Sequence, residues 1–377
     1  MRRAALVIFG GLAGVAGATV VRASPTTITA EGGAEVDTNV QRVETGPGLM
    51  TSRVGAAVGR LGAKIDQRGK AVRGGYALTV SALSRIVGND EASTENVTLL
   101  VGDVRWVRQL GTRPVSAGFG ITGADALPLS AGIGARTFSS LGADGLLVLR
   151  GSDDRSLTLA IGGRSFTYKP DRAFDWMGPA ANVRLDLTLW QPAGGTRSLE
   201  LAAFAGVEAR AYDSIALASA CPDHAAPDPK CFAGTTLPRR DRYQRLGLEL
   251  TSVGRLVTAV SYQLTVTDSN SFGQSLIRHR VSVSSTTDLP WKIYASALAT
   301  LQIDQYLDGL IVQKDVQNQT FTTLDDENRS SLQLRLARQL SGAWSLETRG
   351  AIWRDLGGTT ETSFRRALVY LGAMYSR

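Results

Sequence analysis

From about residue 26 to its end, the chain alternates apolar and polar side chains over long segments, and this period of two constrains its fold more than any other feature. In 182–190, Val183, Leu185, Leu187 and Leu189 alternate with Arg184, Asp186, Thr188 and Trp190. In 199–210, Leu199, Leu201, Ala203, Ala205 and Val207 alternate with Glu200, Phe204, Glu208 and Arg210. Leu246, Leu248 and Leu250 oppose Arg245 and Glu249, and Leu332, Leu334 and Leu336 oppose Gln333 and Arg335. Segment 291–303 sets Trp291, Ile293, Ala295, Ala297, Ala299, Leu301 and Ile303 against Lys292, Tyr294, Ser296, Thr300 and Gln302. Each segment is therefore a strand with one apolar and one polar face. A soluble sandwich shares that pattern, but its strands average about 5–6 residues, whereas these run to about 10–14, enough to cross a bilayer at a tilt.

The connections supply the second constraint. Short ones (Gly111-Thr112, Ser252-Val253-Gly254, Thr287 to Pro290, Ser341-Gly342) alternate with long ones (211–240, 304–328 and the aromatic 168–180). That is the rhythm of periplasmic turns below and extracellular loops above. The reading is all-β: a transmembrane antiparallel β-barrel of about sixteen strands, fourteen to eighteen depending on the irregular 121–142 stretch, with both termini on the periplasmic side. Among the expected strands are 51–64, 113–122, 141–150, 181–191, 198–210 and 242–252. Forty-one glycines are spread through alternating segments without the strand–turn–helix context or the Lys-Ser/Thr of a phosphate loop.

The N-terminus sets the compartment. Arg2 and Arg3 precede the uncharged stretch Ala4–Val21, and Val21-Arg22-Ala23 puts small residues at a signal-peptidase site, so residues 1–23 read as a signal peptide and 24–377 as a single barrel domain. No later apolar run is long enough for a spanning helix. The formal charge of +7 includes Arg2, Arg3 and Arg22 of this leader, and the remaining basic residues are scattered, which argues against a nucleic-acid partner. Cys221 and Cys231 bracket the Pro-rich stretch CPDHAAPDPKC, which in an oxidising periplasm is expected to be closed by a disulfide. The alternative, a metal site with Asp223 and His224, matches no standard zinc spacing. No cofactor is implied; Asp325-Asp326-Glu327 is an acidic loop that reads as a solvated cluster rather than a calcium site.

The segment Gly32–Glu44 (GGAEVDTNVQRVE), an alternating strand ending in Asp37-Thr38-Asn39-Val40, resembles the first strand and loop of Gram-negative outer-membrane barrels. Barrels of this style occur in surface-lipoprotein assembly modifiers and in porin-like proteins that export polysaccharide. The resemblance implies residence in the cell outer membrane, contact with outer-membrane lipid and recognition by the barrel assembly machinery. The terminal strand ALVYLGAMYSR resembles the segment that machinery reads, although Ser376 and Arg377 follow Tyr375. No helical repeat precedes the barrel, so lipoprotein translocation is the lesser expectation.

If the apolar faces meet lipid, the opposite faces place Arg184, Arg245, Arg278, Arg280, Arg335, Arg349 and Lys292 in the lumen, with Glu200, Glu249 and Glu347. Guanidinium groups suit carboxylates and phosphates, so the first functional expectation is a porin-like channel for polar or anionic solutes, or a conduit for an exported acidic polysaccharide with a periplasmic polymer-export partner. The second is a plugged barrel acting through its loops as an interaction or assembly-related protein, in which the same arginines pair with the acids to hold the wall together. An outer-membrane enzyme is the third, and no catalytic residue is assigned. His279 lies on the opposite strand face from Ser282 and Ser284, and no nucleophile elbow is present. Trp291, Trp344, Trp353 and Tyr375, near strand ends, are expected to form an interfacial girdle. Oligomeric state is not legible. N-terminal sequencing of the exported protein is expected to begin at Ser24, and a product beginning at Met1 would contradict the leader assignment.

Overall fold

The computed structural model describes residues 26–43, 45, 52–71, 74–130, 134, 136–152, 154–193, 195–219, 232–307, 329–355 and 363–377. The leader, the Cys221–Cys231 pair, His224 and the 325–327 acids lie outside the described residues. Sixteen strands run in order: β1 Thr27–Asp37, β2 Ala56–Ala71, β3 Gly74–Val87, β4 Val97–Gln109, β5 Val115–Pro128, β6 Phe138–Ser152, β7 Arg155–Tyr168, β8 Trp176–Trp190, β9 Ser198–Ser219, β10 Phe232–Val253, β11 Leu256–Ser269, β12 Leu276–Leu289, β13 Ile293–Tyr306, β14 Ser330–Gln339, β15 Trp344–Arg354 and β16 Arg365–Ser376. Each pairs antiparallel with its sequence neighbours, and β1 pairs with β16, so the sheet closes into a barrel. Closure leaves no edge strand, which is the condition for crossing hydrocarbon without unpaired backbone N–H and C=O groups.

The seam is compact. Gly33 and Gly372 face each other in register between Glu35↔Tyr370 and Glu31↔Met374. A Cβ on Gly33 would stand 2.4 Å from the Leu371 carbonyl, and one on Gly372 would stand 2.0 Å from the Tyr370 hydroxyl. The Tyr370 ring thus covers the ground the glycines leave bare, which is how an aromatic restores packing to a glycine in a sheet. Phe204 plays the same part over Gly247, where an added Cβ would lie 2.2 Å from the ring.

Register assigns the two faces. Val36, Leu61, Leu141, Ile161, Leu246, Leu334, Val369 and Leu371 are exposed, Ile161 by 71%. Their sequence neighbours Glu35, Asp37, Arg60 and Tyr370 are buried, as is Glu347 beside the exposed Leu346. Side chains on the second face also bond between non-adjacent strands: Arg85 of β3 reaches Glu35 of β1, and Arg184 of β8 approaches Glu249 of β10. Side chains converge in this way only on the concave side of a curved sheet. The convex side is thus a continuous aliphatic belt, the lipid-facing surface of a transmembrane barrel.

Aromatics mark one border of that belt. Trp190 and Trp344 are exposed at the ends of β8 and β15 and Trp291 in the turn before β13, with Trp344 edge-on to Tyr375 at 5.2 Å. Tyr76, Trp106 and Phe119 form a convex row across β3, β4 and β5 at the same end. Trp353 departs from the girdle expectation. It faces inward, is 3% exposed, and packs with Phe364, Leu368 and Tyr370 beneath Arg366. Its odd position in β15 shares the phase of Glu347 and Arg349, so strand parity outweighs closeness to a strand end.

The expected loops shrink. Stretch 168–180 contains only the 169–175 connection with a one-turn 3-10 segment, Arg172–Phe174, because Trp176 already pairs with Phe166 and Tyr212. Within 211–240, β9 and β10 continue to Ser219 and from Phe232, past the ends of β8 at Trp176 and β11 at Ser269. The alanines at 211, 216 and 218 blur the apolar–polar contrast there without weakening backbone pairing. Pro238, lacking an N–H, sits between two register shifts in this hairpin, as a bulge accommodates a proline. β2 also starts later and ends later than expected, at Ala56 and Ala71, and β5 extends through 128. A charge placed on the convex belt gives a direct check: Leu334→Arg, at a 54% exposed mid-strand position, is expected to cost about 2–4 kcal/mol. Reversible unfolding from lipid bilayers measures this, with Gln333→Arg on the other face costing much less.

Candidate functional site

The concave wall carries the chemistry, in two groups of charged side chains. The first spans β14 through β16 and β1 to β3. Glu35 accepts from Arg60 Nη1 at 2.9 Å and Arg85 Nε at 3.2 Å. Asp37 accepts from Arg85 Nη2 at 2.5 Å and Arg366 Nη2 at 2.8 Å, and its Oδ1 also takes the Asn39 N–H. These five ionic side chains are 2% exposed or less. Burial at that level is tolerable only because every carboxylate has two cations and the geometry is close. Lower on the wall, Glu347 receives Arg335 at 2.5 Å and also Arg349, whose Nη2 donates to Glu31 at 2.9 Å. Tyr370 lies beneath both Arg60 and Arg349.

The second group spans β6 to β13. Arg164 forks onto Asp144 with both bonds at 2.8 Å. Arg184 bonds Asp186 at 2.8 Å and stands 3.8 Å from Glu249. Glu208 holds Arg210 at 2.5 Å and Arg245 at 2.8 Å, while the Arg210 guanidinium is sandwiched between Trp176 and Tyr243 at 4.1 and 3.9 Å from the ring centroids. Delocalised, weakly hydrated charge suits such stacking. Arg239 bonds Asp241 and lies over Tyr212, and Arg278 forks onto Asp304 at 2.8 and 2.6 Å.

At the long-loop end the wall of β4 to β7 turns apolar. Val97, Leu99, Ala124, Ala126, Phe138, Phe166 and Tyr168 form one buried cluster, against which Phe174 and Trp176 pack. Neighbouring connections are tied to each other: Arg136 pairs with Glu95 at 2.8 Å, and Ser130 Oγ donates to the Ser93 carbonyl at 3.1 Å.

Arg184, Arg245, Arg278, Arg335 and Arg349 share the concave face with Glu249 and Glu347 and engage carboxylates as described. Glu200 is on the same face near the short-turn end, accepting from Ser198 Oγ at 2.7 Å. Arg280 is on that face between Gln263 and Gln302 in register, and has no acid partner among the described residues. Lys292 departs from the expectation. It ends the 3-10 turn Pro290–Lys292, exposed and with φ 57°, where it joins β12 to β13 below the wall. The alternation that placed it inside breaks because Pro290 and two positive-φ residues make the turn there.

The tightest cluster, Glu35, Asp37, Arg60, Arg85 and Arg366, was not singled out from the sequence. Its signal was present, since Glu35 and Asp37 alternate with Val36 in β1, but the partners lie on strands brought together only by closure. His279 is on the convex face, where its Nδ1 and the Tyr262 hydroxyl share a hydrogen bond at 2.9 Å, away from the concave Ser282 and Ser284. Among the described residues, no group of three or more His, Cys, Asp or Glu side chains could hold a metal ion.

No protein-family model matches the chain, and no curated protein matches it in sequence. Several solved structures are similar over nearly the whole length. OprB of Pseudomonas putida, in a high-pH structure, is 7% identical, with 94% of each chain covered and a TM-score of 0.48. OccAB1 of Acinetobacter baumannii is 10% identical, covering 93% of this chain and 96% of that one, with a TM-score of 0.44. A bacterial polysaccharide outer membrane secretin is 7% identical, covering 93% and 97%, with a TM-score of 0.42.

The buried network predicts a specific cost. Asp37→Ala leaves Arg85 and Arg366 confronting each other without their shared acceptor, and is expected to destabilise the barrel by about 3–5 kcal/mol. Urea unfolding of the bilayer-reconstituted protein checks this, and an effect near that of an exposed ion pair would contradict the stated burial.

Proposed function

We propose that the chain is a porin-like channel of the outer membrane that passes small polar solutes with a preference for anions. A closed barrel of this strand number encloses a bore wide enough for water unless loops fill it. Its polar wall supports hydrated passage, and the aliphatic belt outside supports residence in the membrane.

One observation carries the anion preference. The carboxylates of both ionic groups are engaged by arginines, so their charge is largely cancelled at short range. Arg280 stands near mid-strand with only amides, Gln263 and Gln302, beside it in register. A guanidinium with no acid partner among the described residues, on an aqueous wall, attracts anions over about one Debye length, roughly 8 Å at physiological ionic strength. The paired arginines contribute less, because a mobile anion must compete with a fixed carboxylate.

The plugged-barrel reading rests on a different observation: burial on the concave side near the long-loop end, where Asp37, Arg85 and Arg366 are 0–2% exposed. The two readings part in planar bilayers. The channel gives stable conductance with chloride favoured over potassium, whereas the plugged barrel gives none at any voltage. Arg280→Glu is expected to shift the reversal potential in a KCl gradient toward potassium, with permeability ratio falling about tenfold if the site sets selectivity. Arg278→Gln, at a paired position two residues away, should move it far less. An unchanged reversal potential in Arg280→Glu would remove the anion assignment.

A further inference from the structure

The aliphatic belt is hollowed on one side of the barrel, where small residues replace large ones. Ala181 of β8 and Ala203 and Ala205 of β9 stand where the neighbouring strands carry leucine and isoleucine, and the missing side-chain volume leaves a trough along the convex face. Its two parts, about 420 and about 570 Å³, share Val183, Ala205, Leu246 and Leu264 and are therefore continuous. The lining is almost wholly aliphatic, so hydrocarbon, not water, is its natural filling.

The two ends of the trough differ. The lower end closes on Leu185, Leu248 and Tyr262. At the upper end Gln244 joins the lining. Two residues further up β10, on the same face, comes Arg242, in register with Ala209 and Asp268, and then Arg240. Both arginines are exposed, and neither forms an ion pair among the described residues. Two acids share this region of the face, Asp268 opposite Arg242 and the exposed Asp213, two residues beyond Ala211, the register partner of Arg240. Because β11 ends at Ser269, Arg242 sits at the barrel rim on the long-loop side, the level of the outer-leaflet headgroups.

We propose that this trough binds one acyl lipid with a net-anionic phosphate headgroup from the outer leaflet, its chain lying over Ala181, Ala203 and Ala205 and its phosphate, uncancelled by a headgroup cation, on Arg242 and Arg240. An apolar body below two exposed guanidinium groups matches the arrangement of acyl chain and phosphate in an anionic lipid. Guanidinium groups fork onto phosphate oxygens, and the amide of Gln244 can donate at the ester level. A second copy of the chain fits less well. A two-fold contact through this face would bring the Arg240–Arg242 pairs of both barrels together, like charge against like. The assignment concerns the convex face and is independent of whether the bore conducts.

Native mass spectrometry of the full-length exported protein in mild detergent tests the proposal, with phosphatidylglycerol and phosphatidylcholine of identical acyl chains as probes. The wild type is expected to retain phosphatidylglycerol about tenfold more tightly than phosphatidylcholine, the ratio falling to about one in Arg240→Ala/Arg242→Ala. Ala205→Trp, which fills the trough, should lose both adducts. Heat-modifiable gel mobility verifies that each variant is folded. If Ala205→Trp fails to fold, the exposed arginine pair still decides the question. Equal retention of the two lipids by the wild type, a preference unchanged in the arginine variant, or an oligomer that Ala205→Trp dissociates would each overturn the proposal, the last assigning the trough to a second copy.

Discussion

The pairing of β1 with β16 is the interaction on which the rest depends. Nine residue pairs, from Thr29↔Ser376 to Asp37↔Leu368, convert an open sheet into a ring. Below them Ile28 and Arg377 exchange backbone hydrogen bonds at 2.8 and 2.9 Å. Without this ladder two strand edges would stand unpaired in hydrocarbon, at a cost of several kcal/mol for each unsatisfied group. Closure also fixes curvature, and curvature decides which face can gather its side chains. Arg366 of β16 and Arg85 of β3 reach the same Asp37 only because the ring is shut.

The seam and the charged wall are therefore one construction. Gly33 and Gly372 let the two terminal strands approach beneath the Tyr370 ring, which in turn supports Arg60 and Arg349. Those arginines, with Glu31, Glu35 and Glu347, tie β15 and β2 to β1 on either side of the seam. Ion pairs of this kind are weak evidence for net stability, since desolvation offsets much of their attraction. What they do supply is register: a slip by one residue would turn Glu35 and Asp37 toward lipid and Val36 into the bore.

Much of the fold was legible because strand parity is a local property. Val183, Leu185 and Leu187 against Arg184 and Asp186 assign both faces of β8 without knowledge of its neighbours. Strand ends were less legible. Where alanine replaces leucine, as through 211–218, the pattern fades while backbone pairing continues, so the part of the β9–β10 hairpin within 211–240 reads as a loop. Lys292 and Trp353 failed for opposite reasons. Lys292 belongs to an alternation that a turn interrupts, whereas Trp353 lies near a strand end but its parity points inward. The partnerships within the wall were the least legible, since the pairing of Arg278 with Asp304, and the lack of an acid partner for Arg280 among the described residues, depend on residues three-dimensionally adjacent but distant in sequence.

In the closed ring one strand face meets lipid and the other lines the interior. Single-cysteine labelling along β12, in a Cys221→Ser/Cys231→Ser background and in intact outer membranes, tests it most directly. Cysteines at Arg280, Ser282 and Ser284 should react with a small membrane-impermeant maleimide, while cysteines at Val281 and Val283 should not. Uniform labelling, uniform protection or the reverse alternation would contradict the account.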